Sequence, residues 1–366
     1  MSRNISDAGA FTDLMSTDNI ALTLVITVAC VAVGIALVHL AWRTVGAWKI
    51  RQAGPRPMLA VKEVLWRDPG AVETLDLRMG PGGADFTPAP PYSFIDEHFG
   101  GSQPSVSVQD GRGRRWRVKW GDEVRSETFA VRLVWACGFY TEVTHFVPEG
   151  RIDAAGKLQR ASACIDDQCR FTDARFELDD PGVTTMFEEH GWAWNDNPFV
   201  GSRELQGLKI LVMLLSNWDT KDRRDVARGS NMAIFEVPLA GGGLEARYLI
   251  SDWGGSMGRW GNVMTRGRWD PEGFDAQTAE FVTSASEGIV KFGYAGQRTE
   301  DVASGISVDD TRWLCRWLCR LTDTQIADAL RASGGNDDEA SRFTAALRNR
   351  IRQLEAAGAS PGHEPG

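Results

Sequence analysis

The sequence lacks an excess of basic residues. Its 366 residues include 40 Lys and Arg against 49 Asp and Glu, which gives a formal net charge of -9. Proteins that bind nucleic acids in general rely on clustered Lys and Arg against the phosphate backbone. We therefore expect no nucleic-acid partner. The 43% hydrophobic and 24% charged contents are those of an ordinary globular protein, and the length supports one two-lobed domain or two small ones.

Cysteine is scarce and does not form a metal-binding pattern. The six cysteines lie at positions 30, 137, 164, 169, 315 and 319. Cys164 and Cys169 could supply half of a zinc site, but no second Cys/His pair lies nearby. Cys315 and Cys319 are one helical turn apart, as expected for small buried hydrophobes on one helix face. We interpret the cysteines as reduced thiols in a cytoplasmic setting.

Formal charge is absent from Asn19 to Trp42, and the segment is rich in Val, Leu, Ile and Ala. At about 1.5 Å per residue, a helix of this length crosses a hydrocarbon core of about 30 Å. We predict a transmembrane helix at 19–42, preceded by an extracytoplasmic tail at 1–18. A buried core helix is disfavoured by the length. A cleaved signal peptide is disfavoured by the acidic tail and the missing small-residue cleavage site.

Basic residues mostly follow this apolar segment. Only Arg3 precedes it, whereas five come soon after it: Arg43, Lys49, Arg51, Arg56 and Lys62. Because short cytoplasmic flanks of membrane helices carry the Lys and Arg excess, the large C-terminal part is predicted to lie in the cytoplasm. The sequence thus predicts a single-pass protein of the inner or plasma membrane, with the lipid bilayer as a partner.

The remaining chain divides at a Gly- and Pro-rich stretch that ends at Pro91. We predict a juxtamembrane linker at 43–91, a β-rich N-terminal lobe at 92–186 and a mainly helical C-terminal lobe at 187–356. A disordered tail is expected at 357–366. The fold class is therefore predicted to be α+β.

Local patterns predict the elements of both lobes. Alternating residues at 105–108 and 116–120, joined by the turn at 109–113, predict a β-hairpin. Apolar periodicity predicts a helix at 123–137 that stops at Gly138. The same reasoning predicts strands at 141–147, 232–237 and 247–250, and helices at 205–215, 309–331 and 337–356.

Three charged residues stand at the ends of apolar segments: Lys119, Asp219 and Asp252. A lysine that neutralises phosphate charge, an aspartate for the attacking hydroxyl and an aspartate for Mg²⁺ are what phosphoryl transfer from ATP needs. Each has an ordinary interpretation alone. Lys119 could be a solvated strand residue, and the aspartates could cap turns. Their joint order favours a nucleoside triphosphate site.

The order of the motifs resembles the HipA-type branch of the protein-kinase-like fold, and more distantly the phosphoinositide kinases. A Gly-rich hairpin at 100–105 precedes the strand lysine Lys119. A helix carrying Glu127 and ending at Gly138 follows, and then the two aspartate segments. The resemblance covers about residues 92–330 and implies a two-lobed protein-kinase-like fold.

For the nucleotide, the resemblance implies specific contacts. Gly101, Ser102 and Gln103 would line the triphosphate. Lys119 would contact the α- and β-phosphates, and Glu127 would hold that lysine in an ion pair.

For catalysis, the resemblance implies that Asp219 orients the acceptor hydroxyl and that Asp252 coordinates Mg²⁺. Asn231 would be the second metal ligand. Lys221 would replace a histidine that is common in the relatives and touch the γ-phosphate.

One departure from the family concerns spacing. Asp219 and Asn231 are twelve residues apart, where the family usually has about five. We interpret 223–229 as an inserted loop, and Asp222 or Asp225 stays open as the metal ligand in place of Asn231.

The sequence therefore predicts a membrane-anchored, ATP-dependent phosphotransferase that acts on a hydroxyl of a protein, a lipid or a small molecule. Two alternatives stay open. The stretched spacing favours a catalytically weak pseudokinase that serves as a nucleotide-binding scaffold. The same residues could also perform nucleotidyl transfer if ATP bound in reverse.

Overall fold

The computed structural model describes residue 26 and residues 61–179, 184–185, 191–239 and 242–360. The chain divides into two compact units, 1–54 and 55–366. Apart from Ile26, the predicted transmembrane helix at 19–42 lies outside the described residues, as does the predicted tail at 1–18. Within the described part of the chain, no helix combines the length and apolarity that a membrane span needs.

The second half of the predicted linker is folded into the domain, which corrects the prediction of a loop there. Strand β1 (Val61–Val64) pairs in parallel with a later strand, Leu244–Ile250. Leu65, Val72 and Leu77 are buried in the main hydrophobic core. Burial of these apolar side chains favours the ordered state by about 25 cal/mol per Å². Gly70 and Gly80, which have positive φ, allow the turns between them.

Five strands then form a closed barrel with the order β2-β3-β4-β6-β5. Their bounds are β2 (Tyr92–His98), β3 (Ser105–Gln109), β4 (Arg115–Lys119), β5 (Thr144–Asp153) and β6 (Arg170–Leu178). Alternate residues fill the interior because side chains on a strand point to opposite faces; among them are Val106, Val108, Trp116, Val118 and Phe176. The predicted hairpin of β3 and β4 is confirmed.

Helix α1 (Val124–Ala136) connects β4 to β5 and confirms the helix predicted at 123–137. It contacts β5 and β6 of the barrel on one side and a C-terminal helix on the other. Most of its residues are buried, including the charged Glu127 and Arg132. A helix that is buried nearly all round lies between two packed layers, and this position sets Glu127 against the barrel strands.

A second sheet, with the order β1-β9-β8-β7, follows the barrel in the chain. It comprises β7 (Thr184–Thr185), β8 (Met232–Pro238) and β9 (Leu244–Ile250) in addition to β1. Strands β8 and β9 are antiparallel and confirm the two strands predicted from sequence. Asn231 directly precedes β8 and Asp252 stands two residues beyond β9, so the sheet brings these two residues to the same end.

The C-terminal part is mainly helical. It contains a short hairpin of β10 (Val282–Ser286) and β11 (Ile289–Phe292). Its helices are α2 (Arg203–Leu214), α3 (Pro271–Ala276), α4 (Thr299–Val302), α5 (Val308–Leu318), α6 (Asp323–Ala332) and α7 (Asp337–Ala359). Helix α7 packs against α3, α5 and α6, and α5 packs against α2. The α+β class is therefore observed.

Two helix boundaries differ from the prediction. The helix predicted at 309–331 is two helices, because Thr322 accepts a hydrogen bond from the Gln325 amide and begins α6. A residue of this kind starts a new helix by satisfying a free N–H group. Helix α7 continues to Ala359, three residues into the predicted disordered tail. Residues 361–366 of that tail lie outside the described part of the chain.

Candidate functional site

A cavity of about 750 Å³ lies between the barrel and the β8–β9 strands. Barrel residues such as Ser105 and Arg117 line one wall, and Met232 and Leu249 line the opposite one. Six of the nine residues predicted for the site lie on its surface: Gly101, Ser102, Gln103, Lys119, Glu127 and Asp252. Residues as far apart in the sequence as Gly101 and Asp252 therefore share one cavity.

The Gly-rich segment forms the connection between β2 and β3. Gly101 has φ of +80°, a left-handed conformation that favours glycine. Arg160 donates hydrogen bonds to the carbonyls of Gly100 and Gly101, at 2.7 and 3.0 Å. These contacts hold the loop over the cavity, with Ser102 and Gln103 on the lining.

Lys119 makes the ion pair that the resemblance implied, and a second one beside it. Its Nζ lies 2.9 Å from Glu127 Oε1 and 2.9 Å from Glu123 Oε2. The lysine ends β4, and both glutamates lie in or next to the first turn of α1. Glu123 also contacts Arg268 Nη1 at 2.7 Å. Sequence reasoning missed Glu123, although its spacing of one helical turn from Glu127 could have indicated it.

Arg175 is a further member of the site that the sequence did not reveal. Its Nη1 lies 3.0 Å from Glu127 Oε2, and its Nη2 lies 2.5 Å from Glu177 Oε2. Arg175 stands directly across from Lys119 in the ladder between β4 and β6. Alternation along β6 could have placed Arg175 and Glu177 on one face. Only the pairing of β6 with β4 brings them to Lys119.

Burial and charge together set the ionisation of this group. Burial lowers the pKa of Lys119, but Glu127, Asp252 and Glu123 outweigh that effect and hold the pKa above its usual range. Burial raises the pKa of Glu127 to about 7, against the opposing charges of Arg175 and Lys119. Burial also acts to raise the pKa of Asp252, yet Lys119 and the Gly254 amide keep it below its usual value. Lys119 and Asp252 are thus charged at neutral pH.

Three carboxylates offer a place for a divalent cation. Oxygen atoms of Glu123, Glu127 and Asp252 all lie within 4.8 Å of one another. Hard cations such as Mg²⁺ take carboxylate oxygens as ligands and usually share them with substrate phosphates. The donor set therefore fits a metal bound jointly by the protein and a triphosphate. Asp252 was the predicted ligand, and Glu123 is an additional candidate.

Asp219 follows α2 after a short turn. Its Oδ1 accepts a hydrogen bond from Gln297 Nε2 at 2.9 Å, and its Oδ2 lies 3.2 Å from Lys221 Nζ. Burial raises the pKa of Asp219, Lys221 opposes that shift, and the nearby charge of Asp252 adds to it. Gln297 was missed because it lies 78 positions away and carries no motif.

Asn231 lies against residues 215–219, the segment that carries Asp219 and is called the catalytic loop below after the role predicted for Asp219. Its Nδ2 donates to the Asp219 carbonyl at 2.6 Å. The two alternative ligands are engaged elsewhere. Asp222 accepts hydrogen bonds from Arg224, and Asp225 lies 2.8 Å from Arg298 Nη2. The metal role of Asn231 stays a prediction, but it is the residue of the three that is turned toward Asp219.

Comparison with known proteins gives weak similarity to a kinase. No protein-family model matches this chain, and no curated protein matches it. Two similar solved structures are a crystal structure of the Golgi casein kinase and one of the Golgi casein kinase with Mn/ADP bound. They are 9% and 10% identical to this chain, each with a TM-score of 0.35, and each match covers 78% of this chain and 75% of the other. Similarity at this level carries no argument about function, and the HipA-type branch stays a prediction.

Proposed function

We propose that this protein is a kinase-like phosphotransferase that moves the γ-phosphoryl group of ATP to a hydroxyl acceptor. The observation that carries the proposal is the convergence of Lys119, Glu127 and Asp252 on one cavity. Phosphoryl transfer depends on positioning and charge neutralisation. It therefore requires a positively charged side chain such as Lys119, an ion-pair partner such as Glu127 and a metal-binding carboxylate such as Asp252.

In this proposal the cavity holds the nucleotide, with its triphosphate toward Lys119. The Gly-rich loop covers the phosphates, where Gly101 allows close approach of the backbone. Asp252 and Glu123 hold a divalent cation, which neutralises phosphate charge when bound. Glu127 and Arg175 fix Lys119 so that its ammonium group faces the phosphates.

Asp219 orients the acceptor hydroxyl and takes its proton. The raised pKa of Asp219 favours proton transfer, because a base whose pKa approaches the working pH transfers protons more efficiently. Gln297 fixes one carboxylate oxygen of Asp219 and leaves the other near Lys221. Lys221 is then placed to touch the γ-phosphate while it keeps Asp219 ionised.

One observation favours the second candidate, a nucleotide-binding scaffold with weak catalysis. Lys119 contacts two carboxylates, Glu123 and Glu127, and both reduce the positive charge available to phosphates. If a metal draws Glu123 away, Lys119 is free to act. Otherwise the site binds nucleotide without turnover. Phosphoryl transfer therefore separates the two candidates.

The test uses the full-length protein with Mg²⁺ and a membrane extract as the source of acceptors. We expect label transfer from [γ-³²P]ATP and none from [α-³²P]ATP. Asp219→Asn should abolish the transfer. Asp225→Asn is the matched control and should retain the transfer, because Asp225 is also a buried acid but pairs with Arg298.

Two outcomes would contradict the proposal, and a third would attribute the loss of transfer to folding. Transfer of α-label would instead indicate nucleotidyl transfer. Nucleotide binding without transfer of either label would leave the scaffold candidate. Equal loss in both variants would indicate that folding, not catalysis, was disturbed.

We also propose that residues 19–42 anchor the chain in the inner or plasma membrane, with the C-terminal part in the cytoplasm, where ATP is available. The uncharged apolar segment and the basic residues after it support this. Topology reporters fused to each end of the chain test it. Reporter activity that places the C-terminus outside the cytoplasm would overturn the topology.

A further inference from the structure

Arg350, on helix α7, is a fully buried guanidinium. Among the described residues, no carboxylate lies within ion-pair distance of it. Its partners are neutral: the carbonyls of Leu214 and Phe274 at 2.9 and 2.7 Å, and the hydroxyls of Ser216 and Thr278 at 2.8 and 3.1 Å. Its Cζ lies 3.6 Å from the ring centroid of Phe274, 4.8 Å from that of Trp260 and 5.4 Å from that of Phe281.

Two of these partners stand where the catalytic loop begins. Leu214 is the last residue of α2, and its carbonyl is one of those that have no partner inside the helix. A cation at a helix C-terminus satisfies such a carbonyl and interacts favourably with the helix dipole. Arg350 thus satisfies a carbonyl at the C-terminus of α2.

The second partner, Ser216, has an unusual backbone. Its φ is +55°, a left-handed conformation that costs free energy in a residue with a side chain. The turn at Ser216 redirects the chain, and Asp219 follows three residues later. Such a conformation persists only where its surroundings hold it. The Arg350 hydrogen bond to Ser216 Oγ is one of those constraints.

Burial of a charge without an ion-pair partner in contact with it is costly. Burial lowers the pKa of Arg350 well below its usual range, against the opposing charge of Asp275. A long apolar side chain would fill the same space among Phe274, Trp260 and Phe281 without that cost. What an apolar side chain could not supply is the hydrogen bonds to Leu214 and Ser216.

We propose that Arg350 is a positioning residue for the catalytic loop. By capping α2 and holding Ser216, it sets where the carboxylate of Asp219 stands. The proposal rests on the proposed function only in so far as the position of Asp219 then controls turnover. The geometric part of the proposal concerns residues 214–219 and does not depend on any reaction.

A matched pair of substitutions separates positioning from packing. Ser216→Ala removes one hydrogen bond of Arg350 at the catalytic loop. Thr278→Val removes the one that Arg350 Nε donates away from the loop, together with the hydrogen bond from Thr278 Oγ1 to the Phe274 carbonyl. With the full-length protein and hydrolysis of Mg²⁺–ATP as the assay, we expect Ser216→Ala to lower kcat about tenfold with KM for ATP within twofold. Thr278→Val should leave kcat within twofold at a similar loss of Tm.

Amide hydrogen exchange provides a readout that needs no activity. The Asn217 amide donates to the Val212 carbonyl, and the Met257 amide donates to the Leu215 carbonyl. We expect Ser216→Ala and Arg350→Lys to speed exchange at both amides at least tenfold, and Thr278→Val to leave them unchanged.

The outcomes are distinguishable. Unchanged exchange at Asn217 and Met257 in Arg350→Lys would overturn the positioning role, whatever the activity. Equal loss of kcat in Ser216→Ala and Thr278→Val would also overturn it and leave Arg350 as a packing residue. Faster exchange at these amides in Ser216→Ala and Arg350→Lys, together with no ATP turnover by the wild-type protein, would support the positioning role while the proposed function fails.

Discussion

Asn231 donates a hydrogen bond from Nδ2 to the backbone carbonyl of Asp219 across 2.6 Å, although twelve residues separate the two in the chain. The intervening residues form a 3₁₀ helix, Arg223–Arg228, capped by Asp222. The extra length is thus absorbed in a structured loop with its own ion pairs. Strand β8 still begins beside the catalytic loop, so the unusual spacing does not separate the two residues.

The first prediction concerns the division of labour between Asp219 and Lys119. Asp219→Asn should reduce kcat for phosphoryl transfer by roughly 10²- to 10⁴-fold, the usual contribution of a general base. Its Kd for ATP should stay within a few-fold, because its role falls on the acceptor and the transition state. Lys119→Ala should weaken ATP binding as well, since its charge meets the phosphates in the ground state. Turnover and calorimetric titration measure the two effects. Full activity in Asp219→Asn would remove that residue from catalysis.

The second prediction concerns metal binding. Mg²⁺–ATP should raise the Tm of the wild-type protein, because a ligand that binds the folded state stabilises it by mass action. Asp252→Ala should abolish the metal-dependent part of this shift. Glu123→Gln should shift the Mg²⁺ dependence to higher concentrations if Glu123 is a ligand. Differential scanning fluorimetry with and without Mg²⁺ measures both. An undiminished metal-dependent shift in Asp252→Ala would show that the metal is held elsewhere.

The third prediction concerns the pH dependence of turnover. Lys221 lowers the pKa of Asp219, which burial raises. Asp219 must be ionised to accept a proton, so activity falls as the pH drops through its pKa. Lys221→Met removes the opposing charge and should move the acidic limb of the kcat profile to higher pH. Rates measured from pH 5 to 9 test this. If kcat of Lys221→Met falls equally at every pH and the acidic limb of its profile does not move, Lys221 acts on the γ-phosphate and not on the pKa of Asp219.

The fourth prediction concerns Arg175. Arg175→Met should leave Glu127 with one partner fewer and weaken ATP binding, because Lys119 and Glu127 lose their fixed geometry. Removal of one partner from a buried ion pair typically costs about 3–5 kcal/mol of stability. Arg115→Met on the neighbouring strand is the matched control. It breaks the solvent-exposed pair with Asp179 and should cost at most about 1 kcal/mol. Urea unfolding and ATP titration of both variants make the comparison. Equal effects in the two variants would contradict a special role for Arg175.

The fifth prediction concerns stability at acidic pH. Burial, assisted by the charge of Arg132, lowers the pKa of His145 to about 4 from an ordinary value of 6.5. A residue with a depressed pKa contributes stability above 6.5 that is lost as the pH falls toward 4. Between pH 7.5 and 5.0 this loss amounts to about 2 kcal/mol, at 1.36 kcal/mol per pH unit below 6.5.

His145→Gln should lose less stability than the wild type over that interval, by about the same 2 kcal/mol. Urea unfolding of both proteins at the two pH values gives the double difference. The ring of His145 lies at the edge of Trp116 in the barrel, so the variant also needs a folded-state control at pH 7.5. Parallel pH dependence in the two proteins would mean that His145 titrates normally.

Sequence alone predicted the elements that depend on local patterns. The helix ending at Gly138 and the hairpin of β3 and β4 follow from apolar periodicity and turn residues, and both are observed. The nine candidate site residues were named from short motifs, and six of them line one cavity. The prediction from sequence was wrong where Gly and Pro residues interrupt the apolar pattern. Residues 61–77 fall within the predicted linker at 43–91, yet β1 in this stretch pairs with β9, which lies about 180 positions away in the sequence.

Tertiary structure decided the partners of the charged residues. Arg175 meets Glu127 only because β6 pairs with β4, and Glu123 meets Arg268 only because the chain after β9 returns to α1. Arg350 reaches Ser216 across 134 positions of sequence. Local patterns arise from the period of a helix or strand and can be found in a short window of sequence. Ion pairs between distant segments depend on how sheets and helices pack, and no local window contains that information.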